Sequence, residues 1–100
     1  MIIYNITMQV SWNIHDDWLT WMKADYIPAM MEEGSFDQYQ LSRLLNVPEE
    51  EGFTYCIQFY VSEASPEIQL RSDDEYFSKK ISQRWGTDCL AFRTIMEVIH

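Results

Sequence analysis

Apolar and polar residues alternate along the start of the chain. Ile2, Tyr4, Ile6, Met8 and Val10 share one parity, and Ile3, Asn5, Thr7 and Gln9 fill the other. A period of two predicts a strand with one apolar and one mixed face. The period then lengthens. Ile14, Trp18, Trp21 and Met22 follow at helical spacing, with Asn13 before them as the expected N-cap. Asp16 is spaced to reach back to the Asn13 amide, and Asp16 and Asp17 complement the positive end of the helix dipole. The helix is expected to reach Met31 or Glu32 and to end at Gly34. Pro28 falls inside it. Proline has no N–H for the Ala24 carbonyl and its ring crowds that carbonyl, so a kink or break is expected at residues 24–27.

Residues 36–45 return to alternation, with Tyr39, Leu41, Arg43 and Leu45 opposite Gln38, Gln40, Ser42 and Leu44. Residues 46–52 read as a loop, bracketed by the breakers Pro48 and Gly52. In residues 53–61, Tyr55, Ile57, Phe59 and Val61 alternate with Thr54, Cys56, Gln58 and Tyr60, completing a hairpin. Ser65, Pro66 and Glu67 then start a second helix. Leu70, Phe77, Ile81 and Trp85 mark its buried stripe. Lys79, Lys80 and Arg84 suit its negative end, and Gly86 suits the position past it. Residues 89–99 form the last strand. Leu90, Phe92, Thr94, Met96 and Val98 share one side, and Cys89, Ala91, Arg93, Ile95, Glu97 and Ile99 the other.

The order is β-α-β-β-α-β. With right-handed crossovers this predicts an α+β, ferredoxin-like split-βαβ domain spanning residues 1–100. The sheet is expected to be antiparallel, in the order 4-1-3-2, with both helices on one face.

Composition narrows the partners. Sixteen acids against seven bases give a net charge of −9. There is no basic stripe to displace counterions from a nucleic acid, and an anionic membrane repels such a chain. No apolar run approaches the ~18 residues of a membrane span. The first residues lack a basic n-region, so the expected location is cytoplasmic. Cys56 and Cys89 lie in strand-like segments without metal or redox spacing, and two free buried thiols are expected. Aromatic residues make up 15% of the chain, enough to leave apolar surface for a partner or a pocket.

The face without helices is therefore the first place to look for function. If parity holds, it carries Ile3, Asn5, Thr7, Gln9, Gln40, Ser42, Cys56, Gln58, Tyr60, Arg93, Ile95 and Ile99. Such a mixed face can stand wet, or two copies can close it in a two-fold dimer around a pocket. Asn5, Gln58 and Tyr60 are its candidate ligand contacts. Arg93 is a candidate anchor for an anion or one half of a salt bridge. Glu97, four residues on along the strand, lies about 13 Å away and does not pair with it directly. Tyr26, beside the proline irregularity, is a candidate to present its hydroxyl at a pocket mouth. Trp12, Trp18 and Trp21 are core residues or an aromatic lining. His15 stands at the first helix start, too poorly placed with Asp17 to share a metal ion. Three glycines make no phosphate-cradling loop, and two histidines at opposite ends assemble no catalytic triad. The motifs call for no cofactor and no metal.

The opening IIYNITMQV, the helix WLTWMKADYIPAMM and the closing FRTIMEVI resemble a bacterial family known as domain of unknown function 4286. The resemblance spans nearly the whole chain. It implies the architecture of the dimeric α/β-barrel proteins, which include cofactor-free monooxygenases and small stress-response domains, and it implies no established activity. Related sequences often carry a histidine just before the Ile-Pro step, where this chain has Tyr26, a phenol of ordinary pKa about 10.

Three functions follow as expectations. The first is a homodimer that binds a small ligand or a partner protein without catalysis. The second is a cofactor-independent oxygenase or isomerase with its pocket between the two sheets. The third is a structural interaction module.

Overall fold

The computed structural model describes residues 1–33, 36–61 and 78–100. Four strands, β1 (Ile2–Ser11), β2 (Gln38–Arg43), β3 (Gly52–Val61) and β4 (Cys89–Glu97), form one antiparallel sheet in the order β2-β3-β1-β4. This is the expected order read from the other edge. β1 separates β3 from β4, and Cys56 and Cys89 are both free thiols.

Between β1 and β2 runs one long helical path. A 3-10 turn (Trp12–Ile14) leads into α1 (His15–Trp21), a π-helical turn (Met22–Tyr26) and α2 (Ile27–Glu33). The start differs from the expected cap. Asn13 sits within the 3-10 turn, and neither this turn nor α1 has a side-chain cap. The cause lies one residue earlier. The Trp12 indole N–H donates to the carbonyls of Glu49 and Glu50, at 3.1 and 3.2 Å, and holds the turn against the β2–β3 loop.

Pro28 disturbs the helix where expected, but the chain widens instead of breaking. The Ile27 N–H reaches back five residues to the Met22 carbonyl. A π turn of this kind absorbs the missing proline donor and relieves the ring clash, so α2 can continue. Gly34, the expected stop, lies outside the described residues, as do Ser65, Pro66, Glu67, Leu70 and Phe77 of the second expected helix. Residues 78–85 are helical and form α3. Gly86 follows at φ 59°, a left-handed position that favours glycine and closes the helix.

The core lies between the sheet and the helices. Tyr4, Ile6, Met8 and Val10 of β1, and Ile57 and Phe59 of β3, pack with Trp18, Met22, Tyr26, Met30 and Ile81. Gly52 opens β3 opposite Ser11, so close to β1 that a Cβ there would overlap the Val10 carbonyl. Its role is close approach as well as loop breaking.

One expected face is reversed. β4 pairs with β1 so that Cys89 faces Val10, Arg93 faces Ile6 and Ile95 faces Tyr4. These partners belong to the helix-covered side. Arg93 and Ile95 are therefore not on the open face. The open side of β4 is Leu90, Phe92, Thr94 and Met96, opposite Gln9, Thr7, Asn5 and Ile3. Burial of Cys89 at 4% exposure fixes this parity, although the alternate residues are the larger apolar ones.

Candidate functional site

The open face is organised by the strand register. Gln40, Gln58, Asn5 and Thr94 are successive cross-strand partners, so one polar row crosses all four strands. Paired side chains in such a row stand about 5 Å apart. The Tyr60 hydroxyl donates to Gln58 Oε1 at 2.9 Å and also approaches Gln40 Oε1 at 3.3 Å. Asn5 Nδ2 donates to Thr7 Oγ1 at 3.3 Å, and Thr7 Oγ1 lies 3.5 Å from Cys56 Sγ.

Asn5 is the exception within the row. It is 7% exposed, on a central strand, and its Oδ1 is buried with no hydrogen-bond partner among the described residues. Turning the amide over exchanges an unpaired acceptor for an unpaired donor. A buried polar atom left in that state costs about 1–3 kcal/mol.

Beside the row, β4 presents apolar surface. Phe92 is 57% exposed, and Leu90 is exposed as well. At the loop end of the same face is a cleft of about 550 Å³. Thr7, Gln9 and Thr54 line its sheet side, and Leu44, Val47 and Leu90 its apolar wall. Its ionisable lining groups are Glu50 and Glu51, both acids.

The structure thus brings Asn5, Gln58 and Tyr60 together and separates them from Arg93 and Tyr26. Arg93 is exposed on an edge strand, with the parity of the helix side. Tyr26 is fully buried, its ring stacked on Trp21 at 5.2 Å, and Trp21 meets Trp85 edge-on at 5.7 Å. Tyr26 is therefore a core residue and does not stand at a pocket mouth. Trp18 and Trp21 are core too, while Trp12 clamps the loop.

A second cluster, on the helix side, joins residues that the sequence leaves unconnected. His15 Nε2 lies 2.7 Å from the Tyr55 hydroxyl, and His15 Nδ1 lies 3.2 Å from Asp16 Oδ1. The carboxylate only accepts, so in the neutral ring Nδ1 donates to Asp16 and Nε2 accepts from Tyr55. Burial pushes the Tyr55 phenol above its ordinary value; Arg43 opposes this, and Glu49 and Asp16 add to it. The phenol stays a proton donor. Phe53 packs edge-on to His15 at 4.7 Å and carries the Arg43 guanidinium at 4.7 Å on its ring. With both ring nitrogens engaged, His15 ties the helix start to β3 and leaves no nitrogen for a metal ion. Among the described residues no three His, Cys, Asp or Glu side chains converge as metal ligands.

These features match known proteins at two levels. The profile of a family described as Domain of unknown function (DUF4286) matches residues 1–99. The chain belongs to the DUF4286 family. No curated protein matches it. Among solved structures, it resembles a dimeric ferredoxin-like protein from an uncultured marine organism. The identity is 15% and the TM-score 0.63, over 99% of this chain and 95% of that one. An ethyl tert-butyl ether (EthD) family protein from Bacillus halodurans is 16% identical, with a TM-score of 0.66 over 99% and 100%. An EthD-like protein from Ralstonia eutropha is 12% identical, with a TM-score of 0.56 over 98% and 93%. At these identities the likeness shows the ferredoxin-like fold, which this DUF4286 chain shares over nearly its whole length. Among the described residues, no helix is long and apolar enough to cross a membrane.

Proposed function

We propose that two copies of this chain pair through the open faces of their sheets and hold a small ligand between them, without catalysis. The observation that carries this reading is the parity of β4. Its larger apolar residues, Leu90 and Phe92 among them, point to the side that no helix among the described residues covers. An edge strand that turns such side chains outward on an otherwise polar face is expected to meet an apolar partner. A second copy offers the same face, and a two-fold arrangement closes on itself. The dimeric description of one structural neighbour supports the same reading. Pairing in this way would roof the cleft at the loop end. Its threonine hydroxyls, apolar wall and two acids suit a small neutral or cationic molecule better than an anion.

Sedimentation velocity at micromolar concentration tests the pairing. The wild-type chain is expected to run as a dimer. Phe92→Asp places a charge in the apolar strip and is expected to yield a folded monomer with an unchanged circular dichroism spectrum. A wild-type chain that stays monomeric overturns the proposal.

A further inference from the structure

We infer that the polar row Gln40–Gln58–Asn5–Thr94 is the seam that sets the register of the two sheets, with Asn5 as its central contact. The inference rests on the pairing proposed above and adds a residue and a role. Three observations carry it. The row spans every strand at one level, so a second sheet laid over the face meets it as a line. Asn5 belongs to β1, a central strand, where a two-fold axis through the face would pass nearby. Among the described residues its amide is unpaired at one end and shielded from water, although Thr7 already engages the other end.

A polar residue in this position lowers the stability of the isolated protomer. It gains a partner when the amides of a facing row approach. Gln58 and Gln40 carry flexible amides, now turned towards Tyr60, with both donors and acceptors to offer. The half-buried Gln58 and exposed Thr94 side chains, which flank Asn5 in the row, must repack under the second sheet for this contact to form. An apolar strip alone tolerates sliding. An amide that must find its complement does not, and single buried asparagines fix register elsewhere in the same way.

The test compares wild type with Asn5→Ala by sedimentation equilibrium, and by thermal melting at a dilution where both are monomeric. Asn5→Ala is expected to weaken the dimer at least tenfold, with a monomer melting temperature equal to or above that of wild type. Gln58→Ala, on the same row, is expected to weaken the dimer in the same direction, and it carries the test if Asn5→Ala does not fold. If these alanine variants dimerise as tightly as wild type while Phe92→Asp is monomeric, the seam is wrong and the sheet pairing stands. If wild type itself does not dimerise, both fall.

Discussion

The two faces of the sheet are built from the same strands, residue by residue, yet they solve different problems. On the covered face, Tyr4, Ile6, Met8 and Val10 meet Ile57 and Phe59, and helical Trp18, Met22 and Met30 close over them. These side chains are almost free of solvent, and their packing accounts for the stability of the protomer. The open face holds Asn5, Thr7, Gln40, Gln58 and Tyr60 in hydrogen-bonded chains, with Phe92 and Leu90 exposed at one edge. Its residues contribute less to folding one chain and are available for contact with something else. Three residue pairs, one member on each face, turn this contrast into measurements.

Phe59 and Phe92 give the largest difference. Phe59 is fully buried and stacks on Phe36 at 5.0 Å, with Tyr4 at 6.5 Å. Phe59→Ala removes that packing and leaves a cavity, so a loss of about 3–5 kcal/mol is expected. Phe92→Ala removes a half-exposed ring from an edge, and a monomer stability change within about 0.5 kcal/mol is expected. Urea denaturation of the two variants at dilution measures both. Similar losses would mean that the open face is a second core and not a contact surface.

The thiols give the next contrast. Cys89 is buried on the covered side, and burial pushes its pKa from 9.0 to about 11. The Trp18 indole moderates this without reaching hydrogen-bond geometry. Because the folded thiol holds its proton longer than the unfolded one, the stability it contributes is fully present below pH 9.0 and is lost as pH rises to about 11. The loss across that window is on the order of 2 kcal/mol. Denaturation at about pH 8 and about pH 10.5, on wild type and Cys89→Ala, isolates it from the tyrosines and lysines that also titrate. Cys89→Ala is expected to start less stable and to lose less. A constant gap between the two proteins across the window would show that burial of the thiol has no electrostatic consequence. Its counterpart on the open face, Cys56, is only half-buried, and Cys56→Ala is expected to cost less stability than Cys89→Ala.

What could be read in the sequence, and what could not, follows the same division. The β1 alternation was legible because its parities differ sharply, Ile6 and Met8 against Asn5 and Thr7. The strand order followed from the element order and handedness alone. β4 was misread because apolar residues occupy both parities, and the deciding fact, Cys89 packed beside Val10, is a contact between distant segments. The disturbance at Pro28 was legible, but its form was not. Whether a helix breaks or widens depends on what holds its far end, and buried Ile27 and Met30 keep α2 on the sheet. Of the candidate contacts, Asn5, Gln58 and Tyr60 were recoverable from parity, whereas Arg93 inherited the β4 error. The His15–Tyr55 link had no local signal, because its members lie 40 residues apart.

That link gives the smallest and most specific contrast, between Tyr55 and Tyr60. Both hydroxyls are hydrogen-bonded, Tyr55 to His15 at 2.7 Å and Tyr60 to Gln58 at 2.9 Å. Tyr55→Phe keeps the ring that packs at 4.8 Å from Trp18 and removes only the donor. His15 is then left with an unpaired Nε2, and its side chain is 16% exposed, so water can replace the bond only in part. A loss of about 1 kcal/mol is expected. Tyr60→Phe releases two glutamine oxygens that solvent can reach on a single chain, and a loss below about 0.5 kcal/mol is expected. In the dimer the ranking should narrow, because a second sheet over the open face would exclude that water and raise the cost of Tyr60→Phe. Measuring both variants below and above the dimerisation concentration therefore separates the faces by response as well as by size. If Tyr60→Phe costs the same at both concentrations, the Tyr60 hydroxyl stays wet in the dimer and the interface does not extend to it.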